Sequence, residues 1–474
     1  MGTTQPRLLF TLLVLLGINT MNFFDRQVLG AVGEPIKREW QLSDAELGLL
    51  GSAFIYLYAV VGLPLGYWAD LGRRKTILAA GATLWSLLTT LSGFAQSFAS
   101  LFVLRLGVGV GEASCAPAAN SLLGDLIPSQ RRARALSMFM LGLPLGLGLS
   151  FVISGEIAHY WTWRGALFVA GLPGLVLGLL VLAIPEPARG AAELHRVGSA
   201  RRQGSRLGAV LCIPTMWWII LSGALHNFNM YALGHFLSPL LIREYGMRID
   251  GANWICGAVY GFGGGLGMIV GGWLCDRVVK RRIGGRLEVA ALALLAASPC
   301  LFLALQQSRG HVLAFAGWML PGCMCLYVYY SGVYATIQDI VEPALRGTAM
   351  ALYFCAMYLL GAAQGPWATG LTSDFFAQRA AAANENAVPA AVALLGASPL
   401  TGSPFSPPWA ALVINYHHKQ QAIATGLHQA MYLTVVLSCI LVLVLLAASW
   451  TVQSDYEKLQ KWMKASATGA GPGG

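Results

Sequence analysis

The chain has 474 residues, of which 56% are hydrophobic and only 11% charged, against about 25% charged in an ordinary soluble domain. That shortage of charge excludes a soluble enzyme of this size, and the hydrophobicity excludes a disordered chain. The net charge of +10 does not point to nucleic acid, because the basic residues bunch in short clusters between long apolar runs, as in the loops of membrane proteins.

Crossing the bilayer as a helix takes about 20 apolar residues, and twelve runs of that length occur. They lie at about 8–30, 47–69, 76–98, 101–124, 135–158 and 165–184, then at 210–241, 252–275, 288–306, 311–338, 346–372 and 422–450. Lipid offers the backbone no water and the runs are too long for barrel strands, so they are helices. The first run is too long for a signal-peptide core and lacks a cleavage site, so it counts as a span. The expected fold is all-α, a polytopic membrane protein with two six-helix bundles at 1–187 and 210–474, joined by a polar, Arg-rich linker at 188–209. An outer loop at about 373–421, with a short interfacial helix over Ala380–Leu395, precedes the last span. The clusters Arg73–Lys75, Arg131–Arg134, Arg189–Arg206, Lys280–Arg282 and Lys458–Lys464 all fall on the side of the N-terminus. That bias predicts a multi-pass protein with both termini cytoplasmic.

The halves repeat. Gly66 and Asp70, followed by Arg73, Arg74 and Lys75, come after the second span; Gly272 and Asp276, followed by Arg277 and Lys280–Arg282, come after the eighth. Asp125 precedes the Arg131–Arg134 cluster, and Asp339 precedes Arg346. Two copies of a six-helix unit suit a transporter whose halves rock around a central site.

These loops resemble the signature loop of the major facilitator superfamily. Gly66, Ala69, Asp70, Arg74 and Lys75 match it, while Leu71 and Arg73 depart from it; Gly272, Leu274, Asp276, Arg277, Lys280 and Arg281 match in the second copy. Arg105, Gly109 and Gly111 fit the same superfamily's fourth helix. Within it, Asn22-Phe23-Phe24-Asp25-Arg26, Gly109-Val110-Gly111-Glu112-Ala113-Ser114 and Pro144-Leu145-Gly146 are similar to the Spinster-like lipid transporters and their bacterial relatives, most densely over 18–187. The resemblance implies alternating access, proton coupling and gating at Asp25, Arg26 and Glu112, a monomer in a bacterial inner membrane, and no cofactor. It also implies a lysophospholipid or sphingoid phosphate as substrate, with other hydrophobic anions or drug-like solutes as the alternative.

The residues carry their own reading. Asp25, Arg26, Arg105 and Glu112 lie in apolar runs, where Asp or Arg costs at least about 2.5 kcal/mol, so they should face a cavity or one another. Arg105 and Glu112 are two turns apart and share a face, with Glu112 about 17 Å deep. Two accounts stay open: fixed ion pairs between helices one and four, or carboxylates at Asp25 and Glu112 that take and release a proton. Asp70 and Asp276 are either solvated loop charges or caps on helices of the opposite bundle, Asp70 toward Arg346 and Asp276 toward Arg134. In the second account Asp70→Asn favours the inward-open state.

Candidate cavity residues are Asn22, Phe23, Asn227, Tyr231, Tyr330, Tyr334, Gln338 and Gln364, drawn from a wider polar set that includes Asn19, Asn120, His226, Asn229 and His235. Asn227 and Tyr231 share a helix face, as do Tyr330, Tyr334 and Gln338. Phe, Tyr and Met walls with one or two Arg would suit an amphipathic anion. Gly261–Gly267 looks like a nucleotide loop but lies inside an apolar run without a preceding strand. There is no Walker pattern, and His417-His418 has no partner at metal spacing. The nine cysteines read as small core residues. A membrane-embedded lipid enzyme would need a catalytic cluster that the sequence does not show, and a channel would not need charged residues near the midplane of a two-bundle repeat. A carrier of small molecules is the expectation.

Overall fold

The computed structural model describes residues 5–127, 135–136, 138–187, 206–342, 345–394 and 408–467. Among them there is no strand, and twelve rods follow in order. The first six are α1 (Gln5–Trp40), α2 (Asp44–Leu71), α3 (Arg74–Ser92), α4 (Phe98–Leu126), α5 (Met138–Tyr160) and α6 (Trp163–Leu182). The second six are α7 (Pro214–Tyr245), α8 (Ile249–Val279), α9 (Gly285–Leu305), α10 (Val312–Ile340), α11 (Arg346–Ala383) and α12 (His418–Met463). Ten are long and apolar enough to cross a membrane; α3 and α7 are the other two. The α7 rod is diluted by His226, Asn227, Asn229 and His235, all buried, as befits a helix that faces protein.

Local chemistry sets the ends. Ser43 and Glu46 form a capping box at the start of α2, Ser97 and Ser100 do the same for α4, and Thr162 caps α6. Pro214 opens α7, and Gly246, at φ 65°, closes it. Three rods are irregular. The α4 rod loosens at Ala113–Ser114, immediately after Glu112, and α8 and α11 each hold a π turn, at Ala258–Gly263 and Met357–Ala362. The glycine-rich stretch of α8 is a packing surface: Gly261 lies against Gly148 of α5, and Gly267 against Met324 of α10.

The outer loop expected at 373–421 is mostly helix. One helix runs unbroken over Gln364–Leu394 and another over Pro408–Ala467. Alanine has the highest helix propensity, so the segment expected as a separate interfacial helix simply prolongs α11. The linker expected at 188–209 lies outside the described residues up to 205, and Arg206–Leu211 is a short helix.

Packing repeats with an offset of six helices. The α1–α5, α2–α4, α3–α4 and α3–α6 contacts recur as α7–α11, α8–α10, α9–α10 and α9–α12. Between the halves, α2 packs on α11 and α5 on α8, while α1 meets α7. Adding six to each number maps this interface onto itself, which is how two units related by a twofold axis meet. Cys115, Cys256, Cys275 and Cys323 are buried among these contacts, whereas Cys212 and Cys439 are exposed.

Candidate functional site

Asp25 and Arg26 are neighbours on α1, so they leave it about 100° apart and meet different parts of α4. Arg105 Nη1 donates to Asp25 Oδ1 at 2.7 Å, its Nη2 donates to the Asp25 carbonyl at 3.2 Å, and Thr89 of α3 donates to Asp25 Oδ2 at 2.6 Å. Arg26 Nε lies 2.9 Å from Glu112 Oε2, and Arg26 Nη1 donates to the Tyr358 hydroxyl of α11 at 3.1 Å. All four charged groups are buried. The two pairs differ in quality. Asp25 is held by three hydrogen bonds, whereas among the described residues no aligned hydrogen bond reaches either oxygen of Glu112, whose contact with Arg26 is an ion pair only. The Arg26 guanidinium also lies over the rings of Tyr58 and Phe23, 4.5 and 5.1 Å from their centroids.

Arg26 stands on the wall of a central cavity of about 150 Å³ between the halves. Of the residues expected there, Asn22, Phe23, Asn227, Tyr231, Tyr330 and Tyr334 line it. Tyr330 donates to Asn227 Oδ1 at 3.3 Å. Gln338 and Gln364 do not line it: Gln338, one turn past Tyr334, is exposed while Thr336, Ile337 and Ile340 around it are buried, and the Gln364 amide donates to the Leu359 carbonyl. Four more tyrosines, Tyr58, Tyr260, Tyr327 and Tyr358, complete the wall. Tyr327 was within reach of the spacing argument, three residues before Tyr330; Tyr260 and Tyr358 sit in the two π turns, which sequence periodicity does not reveal. Asn22 Nδ2 and the Tyr327 hydroxyl are buried without a partner among the described residues.

The remaining polar candidates have local uses. Asn19 lines the cavity and donates to the Phe139 carbonyl, Asn229 donates to Thr434 and Ser438, and His235 bonds the Leu47 carbonyl at 2.9 Å. His226 stacks on Tyr329 with ring centroids 3.9 Å apart, and Asn120 is exposed.

At the end of the molecule holding the α2–α3 turn, the signature-loop residues bond within their own half. Arg74 pairs with Asp125 and with Glu186 (3.1 Å), and donates to the Pro187 carbonyl at 2.7 Å. Lys75 Nζ donates to the carbonyls of Leu182 and Ile184. Glu186 accepts the N–H groups of Arg74 and Lys75, each at 3.0 Å, and so caps α3. Burial raises the Glu186 carboxyl, but the Lys75 N–H together with the Arg74 guanidinium and N–H outweigh it and hold it below the usual carboxylate value. In the second half Arg286 pairs with Asp339, the counterpart of Arg74 with Asp125. Asp276 is exposed, 3.9 Å from Arg286, and Arg277 lies over the Trp273 ring. Among the described residues, then, Asp276 meets a cation of its own half, and Arg346 is exposed. Arg134 lies outside the described residues, and the Asp70 side chain is likewise not described.

The inter-bundle cap exists at the opposite end, where sequence reasoning did not look. Asp374 of α11 accepts the N–H groups of Asp44 and Ala45, each at 2.9 Å, capping α2 across the interface. Arg243 of α7 reaches Glu34 of α1 at 2.7 Å and Asp44 at 2.9 Å, and Ser373 donates to Asp44 at 2.6 Å. The backbones touch here: a Cβ on Gly48 would lie 2.2 Å from the Pro366 carbonyl oxygen, and one on Gly370 would lie 2.1 Å from that of Asp44. Further hydrogen bonds cross between the halves at this end or beside the cavity, from Arg26 to Tyr358, Gln27 to Gly234, Tyr56 to Ala363, His235 to Leu47, Asn253 to Ala31 and Trp254 to Glu156.

The sequence model of the Major Facilitator Superfamily matches residues 15–366. Mouse "Protein spinster homolog 1" is 31% identical over 407 residues, covering 79% of this chain and 74% of the mouse protein. An "MFS-type efflux pump" of Mycolicibacterium smegmatis is 30% identical over 365 residues, 76% of this chain and 83% of that protein. The crystal structure of a bacterial homologue to the human lysosomal transporter Spinster, inward-facing and occupied, superposes with a TM-score of 0.79 at 26% identity, covering 96% of this chain and 99% of that one. Its inward-facing and unoccupied form gives 0.80 at 27% identity.

Proposed function

Because the chain belongs to the major facilitator superfamily and to its Spinster-like branch, and so is a membrane transporter rather than an enzyme, we propose that it couples proton movement to the transport of a lipid-like anion. The observation that carries this reading is the buried Arg26–Glu112 pair, whose Arg26 lines the cavity. Glu112 is the carboxylate with the fewest bonds, so a proton displaces least there, while Asp25 and Arg105 hold α1 against α4. A proton on Glu112 leaves Arg26 as an uncompensated cation facing Asn22, Tyr327 and the aromatic wall, where the cost of that charge is offset by an anionic headgroup. Proton and anion then load together. At about 150 Å³ the cavity is below the roughly 300 Å³ at which pockets for drug-sized ligands begin, so it takes a headgroup and leaves an acyl chain to run out between helices.

The locked α1–α2 end and the inward-facing forms of the similar transporter support an inward-facing state here. The basic clusters support cytoplasmic termini, and the bacterial relatives support a bacterial inner membrane. The cavity is lined by helices of both halves of one chain, and we read the transporter as a monomer. The Mycolicibacterium relative's name favours a second reading, a drug-like solute in the same cavity. Proteoliposomes with an imposed pH gradient test the proposal: uptake of a fluorescent lysophospholipid should follow the gradient in wild type and lose that dependence in Glu112→Gln. Gradient-driven uptake that is unchanged in Glu112→Gln would remove Glu112 from the mechanism.

A further inference from the structure

The two copies of the repeated loop treat their basic residues differently. In the first, Arg74 and Lys75 turn inward onto Asp125, Glu186 and backbone carbonyls. In the second, Lys280, Arg281 and Arg282 are exposed in the turn between α8 and α9 and border a cavity of about 430 Å³. Its far wall is α12, at Ser449 and Gln453. The turn is held in place: Arg281 and Arg282 N–H groups both bond the Val278 carbonyl, and Gly284 sits so close to α12 that a Cβ would lie 2.8 Å from the Ser449 carbonyl oxygen. Three cations face this space against the single lining carboxylate of Glu288, which lies 3.4 Å from Arg282. Glu457, one turn beyond Gln453, accepts that residue's amide at 2.7 Å. The cavity keeps a surplus of positive charge.

A second observation gives its depth. Along α12 the exposed residues include Val436, Cys439, Ile440 and Leu443, then Trp450 at 81% exposure, then Gln453, Ser454, Glu457 and Lys458. Trp273 on α8 is also exposed, at 58%, with the Arg277 guanidinium 5.1 Å above its ring. Exposed Trp between an apolar and a charged stretch marks the headgroup level of a bilayer. Two residues that line the cavity, Ser449 and Val279, come directly before Trp450 and about two helical turns after Trp273, which sets it near the level where a phosphodiester is present and bulk hydrocarbon is not.

We propose that the cavity between the α8–α9 turn and α12 binds the headgroup of an anionic phospholipid. Lys280, Arg281 and Arg282 hold its phosphates, and its acyl chains run along the exposed apolar face of α12 past Trp450 and Leu443. Basic pockets between membrane helices recognise anionic headgroups in this way, and each basic residue near the surface adds about 1 kcal/mol of attraction. The bound lipid ties the turn that follows Asp276 and Arg277 to α12, at a site separate from the central cavity.

Native mass spectrometry of the full chain in mild detergent, with phosphatidylglycerol and phosphatidylcholine supplied in equal amounts, tests this. Wild type should retain phosphatidylglycerol at least about tenfold more than phosphatidylcholine, and Lys280→Gln/Arg281→Gln/Arg282→Gln should bind the two equally. Arg281→Gln alone should lose part of the preference, which keeps the test available where the triple variant fails to fold. Equal retention of both lipids by wild type, or an undiminished preference in a folded variant, overturns the proposal. So does displacement of phosphatidylglycerol by excess inorganic phosphate, which would make this a free-phosphate site.

Discussion

The two ends of the molecule use the same chemistry in opposite ways. At the α1–α2 end, carboxylates and cations reach across the interface between the halves: Asp374 caps α2, and Arg243 bridges Glu34 and Asp44. At the α2–α3 end, Glu186 caps α3, and Arg74 and Arg286 bind Asp125 and Asp339 without leaving their own halves. A rocking carrier needs this division. Bonds across the interface define which end is shut, and bonds within a half keep that half rigid while it moves.

Arg243→Ala should break the contrast most. It leaves Glu34 and Asp44 buried with their main cation gone, a loss of about 3–5 kcal/mol. Spin-label distances across the α1–α2 and α7–α8 loops should lengthen as that end opens; unchanged distances would mean Arg243 is no latch. Arg74→Gln should cost about 1.5–3 kcal/mol yet act differently, lowering the melting temperature while the same distances keep their distribution. A shift in that distribution would erase the distinction between the ends. Asp374→Asn removes one charge from a helix cap, worth about 1 kcal/mol, and should raise the open population severalfold by the same distance measurement.

The smallest effect is with pH. The folded-state carboxyl of Glu186 is held below its usual value, so its contribution is complete above the unfolded carboxylate value and is lost as pH falls through the folded one. The melting-temperature gap between wild type and Glu186→Gln should therefore be constant above about pH 5 and close in acid. A gap that grows on acidification would contradict the cap.

Most of the architecture was legible in the sequence because lipid leaves so few alternatives: long apolar runs must be helices, and ionisable groups inside them must find partners. That logic brought Asp25, Arg26, Arg105 and Glu112 together, although it did not say which carboxylate would be better bonded. It failed at helix ends. Glu34, Asp44, Arg243 and Asp374 look like ordinary boundary charges, and neither spacing nor hydropathy tells which half such a side chain faces. The cavity was half legible. Tyr330 and Tyr334 were visible as a helical pair, but Gln338 continued the pattern beyond the end of the cavity, and Tyr260 and Tyr358 depend on π turns that shift the register.

The crossed polarity of the central pairs has an electrical consequence. With α1 contributing an anion and a cation and α4 the reverse, the empty core sums to zero, and the membrane voltage exerts no net pull on it. Under the proposed coupling the loaded core also sums to zero, since the cation exposed by protonating Glu112 is matched by the anion it holds. Both strokes of the cycle would then be blind to voltage, escaping the roughly 2.3 kcal/mol per charge that 100 mV would otherwise impose, and the pH difference and the substrate's own gradient would together set the direction of flow.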